Sequence, residues 1–98
     1  MMTYALAAAF VTANTSLVCP AEAPAIHRYP PAIMTAVYGN RYGVTSAERA
    51  EIVLATDTDK MPWVLVHEVA HWCGADEPGA QAIHHLWMRQ HGIKGASS

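Results

Sequence analysis

The segment His67-Glu68-Val69-Ala70-His71 constrains this chain more than any other feature. Two imidazoles spaced in this way converge on one point when the segment is helical, because residues i and i+4 share a helix face. Glu68 is then rotated by about 100° from His67. That offset keeps it out of the line of the two histidines but beside whatever they hold. HExxH is the spacing by which a helix offers two nitrogens to zinc, with the carboxylate next to a metal-bound water. A fold built around it needs a helix through these residues, a surface for the helix to pack on, and a further ligand returned from later in the chain. Catalytic zinc takes three protein ligands and keeps a fourth position open.

The flanking sequence agrees with a helix. Asp59 is placed to act as its N-cap, Pro62 suits its first turn, and Gly74 stands where a left-handed C-terminal residue is expected. Trp63, Val66, Ala70 and Cys73 recur at i, i+3, i+7 and i+10, an apolar stripe for packing on a strand. That strand is predicted over residues 51–56 (EIVLAT), which are short, β-branched and closed by Asp57-Thr58-Asp59. A second helix begins near Asp76, carries Pro78 in its first turn and runs to about Gln90, with Ala80, Ile83 and Trp87 as its core stripe.

Gly74 can adopt positive φ and turn the chain back, so that Asp76 and Glu77 arrive near the two histidines. An acidic residue there also stabilises a helix N-terminus by itself. Asp76 suits the N-cap, which leaves Glu77 free as the third ligand; Asp76 and His84 are the alternatives. Seven residues past Glu77, about two helical turns, His84 falls on the same helix face. It can orient a ligand, donate a hydrogen bond to an oxyanion, or stand as a partly exposed helix histidine. His85 points away, and His27 and His91 have no partner in sequence.

The run HExxHxxGxxE is similar to the metzincin pattern, with Glu77 in place of the third histidine. More broadly, residues 65–88 (LVHEVAHWCGADEPGAQAIHHLWM) resemble the small gluzincins, including ImmA/IrrE-type and minimal single-domain HExxH peptidases. In those a glutamate early in the next helix completes the site. The linker here, five residues between His71 and Glu77, is shorter than most of them use. The resemblance implies a minimal zincin-like α+β domain, mostly helical, with the two helices packed on a small sheet or single strand. It also implies one Zn²⁺ held by His67, His71 and Glu77, and Glu68 as the general base of a metallopeptidase. In larger zincins the strand before the HExxH helix has an open edge that pairs with substrate, and residues 51–56 stand in that place. The competing readings are a zinc-stabilised binding or regulatory module without catalysis, and a small helical interaction protein with an accidental motif.

At 98 residues the chain makes one domain, of a size that often needs a metal, a disulfide or a partner. So little surface leaves scant room for a deep pocket, and a homodimer or protein partner would complete the cleft around a peptide substrate. Six Lys and Arg scattered along a chain of net charge −2 form no basic stripe, which argues against nucleic acid. The excess residue is histidine, with four of six copies falling between His67 and His85.

Residues 1–23 read as an apolar N-terminal helix or a weak signal-like segment, with the zincin-like metal-binding domain over 24–98. Residues 4–18 are apolar and Ala-rich, and Ala21-Glu22-Ala23 resembles a small-x-small cleavage site. No basic residue precedes the run, and Thr12, Asn14, Thr15 and Ser16 dilute it, so a buried N-terminal helix is an equal reading. At about 15 residues it is too short to span a bilayer. Export and a cytoplasmic location both stay open. Cys19 and Cys73 either pair in an oxidising compartment or are unrelated thiols; cleavage after Ala23 would remove the first. Residues 19–31, with four of the six prolines, read as a linker. Residues 32–38 read as a short helix stopped by Gly39-Asn40, residues 40–46 as a loop, and residues 94–98 as a frayed tail.

Overall fold

The computed structural model describes residues 2–93 as an α+β fold of four α-helices and a three-stranded sheet. The tail read as frayed lies outside the described residues. In chain order the elements are α1 (Tyr4–Asn14), β1 (Ala25–Tyr29), α2 (Pro31–Tyr38), β2 (Gly43–Ser46), β3 (Glu51–Ala55), a 3₁₀ turn (Thr56–Lys60), α3 (Pro62–Trp72) and α4 (Glu77–Gln90). The mostly helical α+β architecture matches the sequence expectation, and the strand is part of a small sheet.

β3 is the central strand. It pairs in parallel with β1, Ala25 to Tyr29 facing Glu51 to Ala55, and antiparallel with β2, Gly43 facing Leu54 and Thr45 facing Ile52. Two sequence expectations change here. β1 lies inside the proline-rich stretch read as a linker, and β2 inside the stretch read as a loop. Pro24 and Pro30 bracket β1, which is an edge strand, where proline does not interrupt a shared ladder.

Alternation along β3 divides the core between the two sheet faces. Ile52 and Leu54 point to one side, with α1, α3 and α4; Val53 and Ala55 point to the other, against Met34 of α2, Tyr38 and Val44. Val66, Val69 and Ala70 of α3 are fully buried. Each valine so buried contributes about 1.5–3 kcal/mol. α4 packs on α3 through Ala80, Ile83, Trp87 and Met88. The stripe expected on α3 holds at Val66, Ala70 and Cys73, while Trp63 is half-buried and lines a cleft.

α1 is part of this core. Thr3 caps it by accepting from the Leu6 amide at 3.2 Å, and Ala7 and Val11, one turn apart, are wholly buried against α3. The chain then returns to the end of α3, where Cys19 and Cys73 form a disulfide. Of the two readings left open for the cysteines, the structure shows pairing.

Asp59 is not the N-cap of α3. The residues around it wind into the 3₁₀ turn, Met61 takes the cap position without a side-chain hydrogen bond, and the Asp59 carboxylate accepts from Arg28 at 3.0 Å. The other helix signals hold. Gly74 has φ of +109°, and Asp76 caps α4 by accepting from the Gly79 amide at 2.9 Å.

Candidate metal centre

α3 presents His67 and His71 one turn apart, and the turn at Gly74 brings the start of α4 back over them. One carboxylate oxygen of Glu77 lies 2.8 Å from Nε2 of His71 and 3.0 Å from Nε2 of His67. One donor atom from each of these three residues falls within 4.8 Å of the others. Ligands on a zinc tetrahedron with ~2.0–2.1 Å bonds stand about 3.3 Å apart. Two imidazole nitrogens and one carboxylate at these separations fit such an ion after small side-chain adjustments. Among the described residues this is the one cluster of its kind.

Asp76 and His84 do not join it. Asp76 is engaged as the α4 cap. His84 instead meets the far side of His67, with the two Nδ1 atoms 2.7 Å apart. His85 lies edge-on to His84, with ring centroids 4.3 Å apart. His27 stands 3.6 Å from the Glu51 carboxylate, and His91 stacks on Trp87; neither belongs to the cluster.

Each clustered side chain is also held at its other end. Nδ1 of His71 donates to the Ala75 carbonyl at 2.9 Å, which leaves Nε2 as the nitrogen facing Glu77. The second oxygen of Glu77 accepts from Gln81 at 3.1 Å. Burial alone would raise the Glu77 pKa, but hydrogen bonds from His71 and His67 outweigh it and hold the carboxyl at about 2. For His71, burial favours the neutral form, yet the Ala75 carbonyl and Glu77 together raise its pKa. Burial is the main reason that the His84 pKa falls to about 4, helped by the neighbouring His67 and His85. A metal at Nε2 of His71 would compete with protonation there, so binding should weaken as pH falls.

Glu68 lies outside the cluster and is only 6% exposed. Burial raises its pKa, opposed by the Thr45 hydroxyl and by the two histidines. Thr45 stands 2.8 Å from a Glu68 carboxylate oxygen and 2.9 Å from the Glu68 backbone carbonyl. The hydroxyl thus ties β2 to both ends of this residue. Two positions earlier on the same strand face, Gly43 leaves room for it. A Cβ at Gly43 would lie 2.9 Å from Glu68 Cγ and 3.1 Å from Leu54 Cδ2. Sequence reading missed both Gly43 and Thr45, because nothing local marks a strand whose role is set by a helix more than 20 residues later.

The Gly43→Ala variant should consequently be destabilised by about 1–3 kcal/mol through overpacking. Chemical denaturation would measure it, and an unchanged midpoint would show that Glu68 has space to move.

The cluster opens on a cleft of about 850 Å³. One wall is β2 and its approach, including Tyr42, Gly43 and Thr45; the other includes Trp63, Val64 and the cluster itself. A single chain thus forms a sizeable cleft beside the cluster. The edge strand beside it is β2. β3, which stood in that place by sequence, has partners on both sides and no open edge. No protein family, curated protein or solved structure matches this chain.

Proposed function

We propose that the protein is a zinc-dependent peptidase, with His67, His71 and Glu77 as the metal ligands and Glu68 as general base. The convergence of the three ligand atoms at the wall of an open cleft carries this reading. A bound zinc ion supplies a water acidic near neutral pH and polarises the carbonyl under attack. Glu68 takes the proton from the attacking water and delivers it to the leaving amine. Thr45 holds the Glu68 carboxylate during both transfers. The raised pKa of Glu68 suits a group that must both accept and return a proton. An extended peptide would add to the free edge of β2, which lines the cleft. The HExxH motif followed by a glutamate early in the next helix resembles the small gluzincins, with a shorter linker between His71 and Glu77 than most of them use.

One observation favours a second reading. Glu68 is buried and bound at both ends to β2, as a carboxylate would be that only braces a zinc-stabilised module.

Purified zinc-loaded protein incubated with a peptide mixture separates the two, with new termini read by mass spectrometry. Cleavage that a chelator abolishes and added zinc restores is the expected result. One zinc per chain with no cleavage would reject the peptidase and leave the module. No zinc bound would reject both.

A further inference from the structure

We infer that His84 is the positioning residue for His67: it accepts the Nδ1 proton of His67 and thereby turns the Nε2 lone pair toward the metal. This rests on the metal-binding part of the proposed function, not on peptide cleavage.

The Nδ1 atoms of His67 and His84 lie 2.7 Å apart. At that distance one nitrogen must donate and the other accept; two lone pairs or two N–H groups facing each other would repel. The direction of the bond then follows from the other end of the His67 ring. Nε2 of His67 faces the same Glu77 oxygen that Nε2 of His71 reaches, so the metal position lies at Nε2. A neutral imidazole that gives Nε2 to a metal carries its proton on Nδ1. With metal bound, His67 is therefore the donor and His84 the acceptor, and His84 keeps its own proton on Nε2. With Nδ1 occupied in this way, His84 serves as a support and not as an alternative ligand.

The same helix supports two ligands at once. Glu77, Gln81 and His84 stand at i, i+4 and i+7 on α4, a single row along one face. Gln81 donates to the free oxygen of Glu77, and His84 meets the free nitrogen of His67. The Ala75 carbonyl does the same for His71. All three ligands thus have a partner at the atom turned away from the metal, as metal-bound histidines and carboxylates generally do. At His67 that partner is a neutral ring, a weaker acceptor than the carboxylate often found there.

Zinc affinity, measured by competition with a chromophoric chelator, tests this in the full chain. His84→Ala should bind zinc roughly 10- to 100-fold more weakly. His84→Gln, whose side-chain carbonyl can accept the same proton, should recover most of that loss. His91→Ala, which removes a histidine outside the cluster, should match the wild type. A melting curve of each metal-free variant distinguishes lost affinity from lost fold. Long-range ¹H–¹⁵N NMR of the zinc-loaded wild type should find His67 protonated at Nδ1 and His84 at Nε2, a signature that a purely structural role would not set.

A His67 protonated at Nε2 in the loaded protein would overturn the inference, as would His84→Ala with wild-type affinity and an unchanged His67 tautomer. Zinc bound without peptide cleavage would remove the peptidase and leave these measurements to decide the role of His84. Failure of the wild type to bind zinc would overturn both.

Discussion

The Glu68→Gln variant is expected to keep one zinc per chain while losing peptide hydrolysis by about 10²- to 10⁴-fold, the usual contribution of a positioned base. Glutamine has nearly the same shape, and its carbonyl oxygen can still accept from the Thr45 hydroxyl. The neighbouring ligands His67 and His71 make no hydrogen bond to Glu68, so the metal cluster should survive the change. What glutamine cannot do is take a proton.

The stability of this variant should also shift, in a direction set by pH. Burial raises the Glu68 pKa in the folded protein, so ionising it opposes folding. The sign follows from linkage. Below the ordinary carboxyl pKa of 4.5, Glu68 is protonated in both states and costs nothing; as pH rises through the raised folded value, that penalty is incurred in full. Metal-free Glu68→Gln, which has no such ionisation, should therefore melt above the metal-free wild type at neutral pH and near it in acid. Higher stability joined to lost turnover is the signature of a group kept for chemistry. Undiminished hydrolysis at equal zinc content would rule Glu68 out as the base.

The site was legible in sequence wherever local chemistry decides local structure. The two histidines, the glycine turn, the Asp76 cap and Glu77 lie within 11 residues, and each step depends on near neighbours. The position of His84 on the Glu77 face followed from helix periodicity alone, although its partner, His67, did not. What could not be read depends on segments far apart in the chain. β1 and β2 are strands because β3 pairs with them, and the β-forming Ile26, Tyr29, Val44 and Thr45 were masked by their neighbours. Ala25–Tyr29 sits between prolines, and Gly43–Ser46 opens with glycine, so both stretches carried turn signals. Asp59 looked like a cap until Arg28, 31 residues away, engaged its carboxylate. Thr45 had no signal of its own. Its hydroxyl matters because register places it opposite Ile52, on the sheet face that α3 covers.

The same distinction governs the second large effect, which lies outside the cleft. Reduction of the Cys19–Cys73 disulfide, or its replacement in a Cys19→Ser/Cys73→Ser variant, should lower stability by about 4 kcal/mol. The bond closes a loop spanning 54 residues, and loss of that constraint frees the unfolded chain by roughly this amount. For a domain of this size, total stability is itself about 5–15 kcal/mol. A loss of that order corresponds to a fall in melting temperature of about 15–30 °C. The effect should extend to the metal. Cys73 is the C-terminal cap of α3, followed by Gly74 at φ of +109° and then by Ala75, whose carbonyl holds His71. Leu17, two residues before Cys19, packs toward Gly74 from the other side of the bond. Opening the disulfide therefore loosens both the seat of α1 and the turn that aims His71. Bound zinc, which favours the folded chain, should offset part of the loss in proportion to its affinity. Calorimetry with and without reductant, each in chelator and in zinc, gives four melting temperatures that separate the two contributions. A reductant effect near zero in the chelated protein would show that side-chain packing, without the disulfide, holds α1 to α3. A reductant effect equal in zinc and in chelator would show that the disulfide and the metal site are energetically independent.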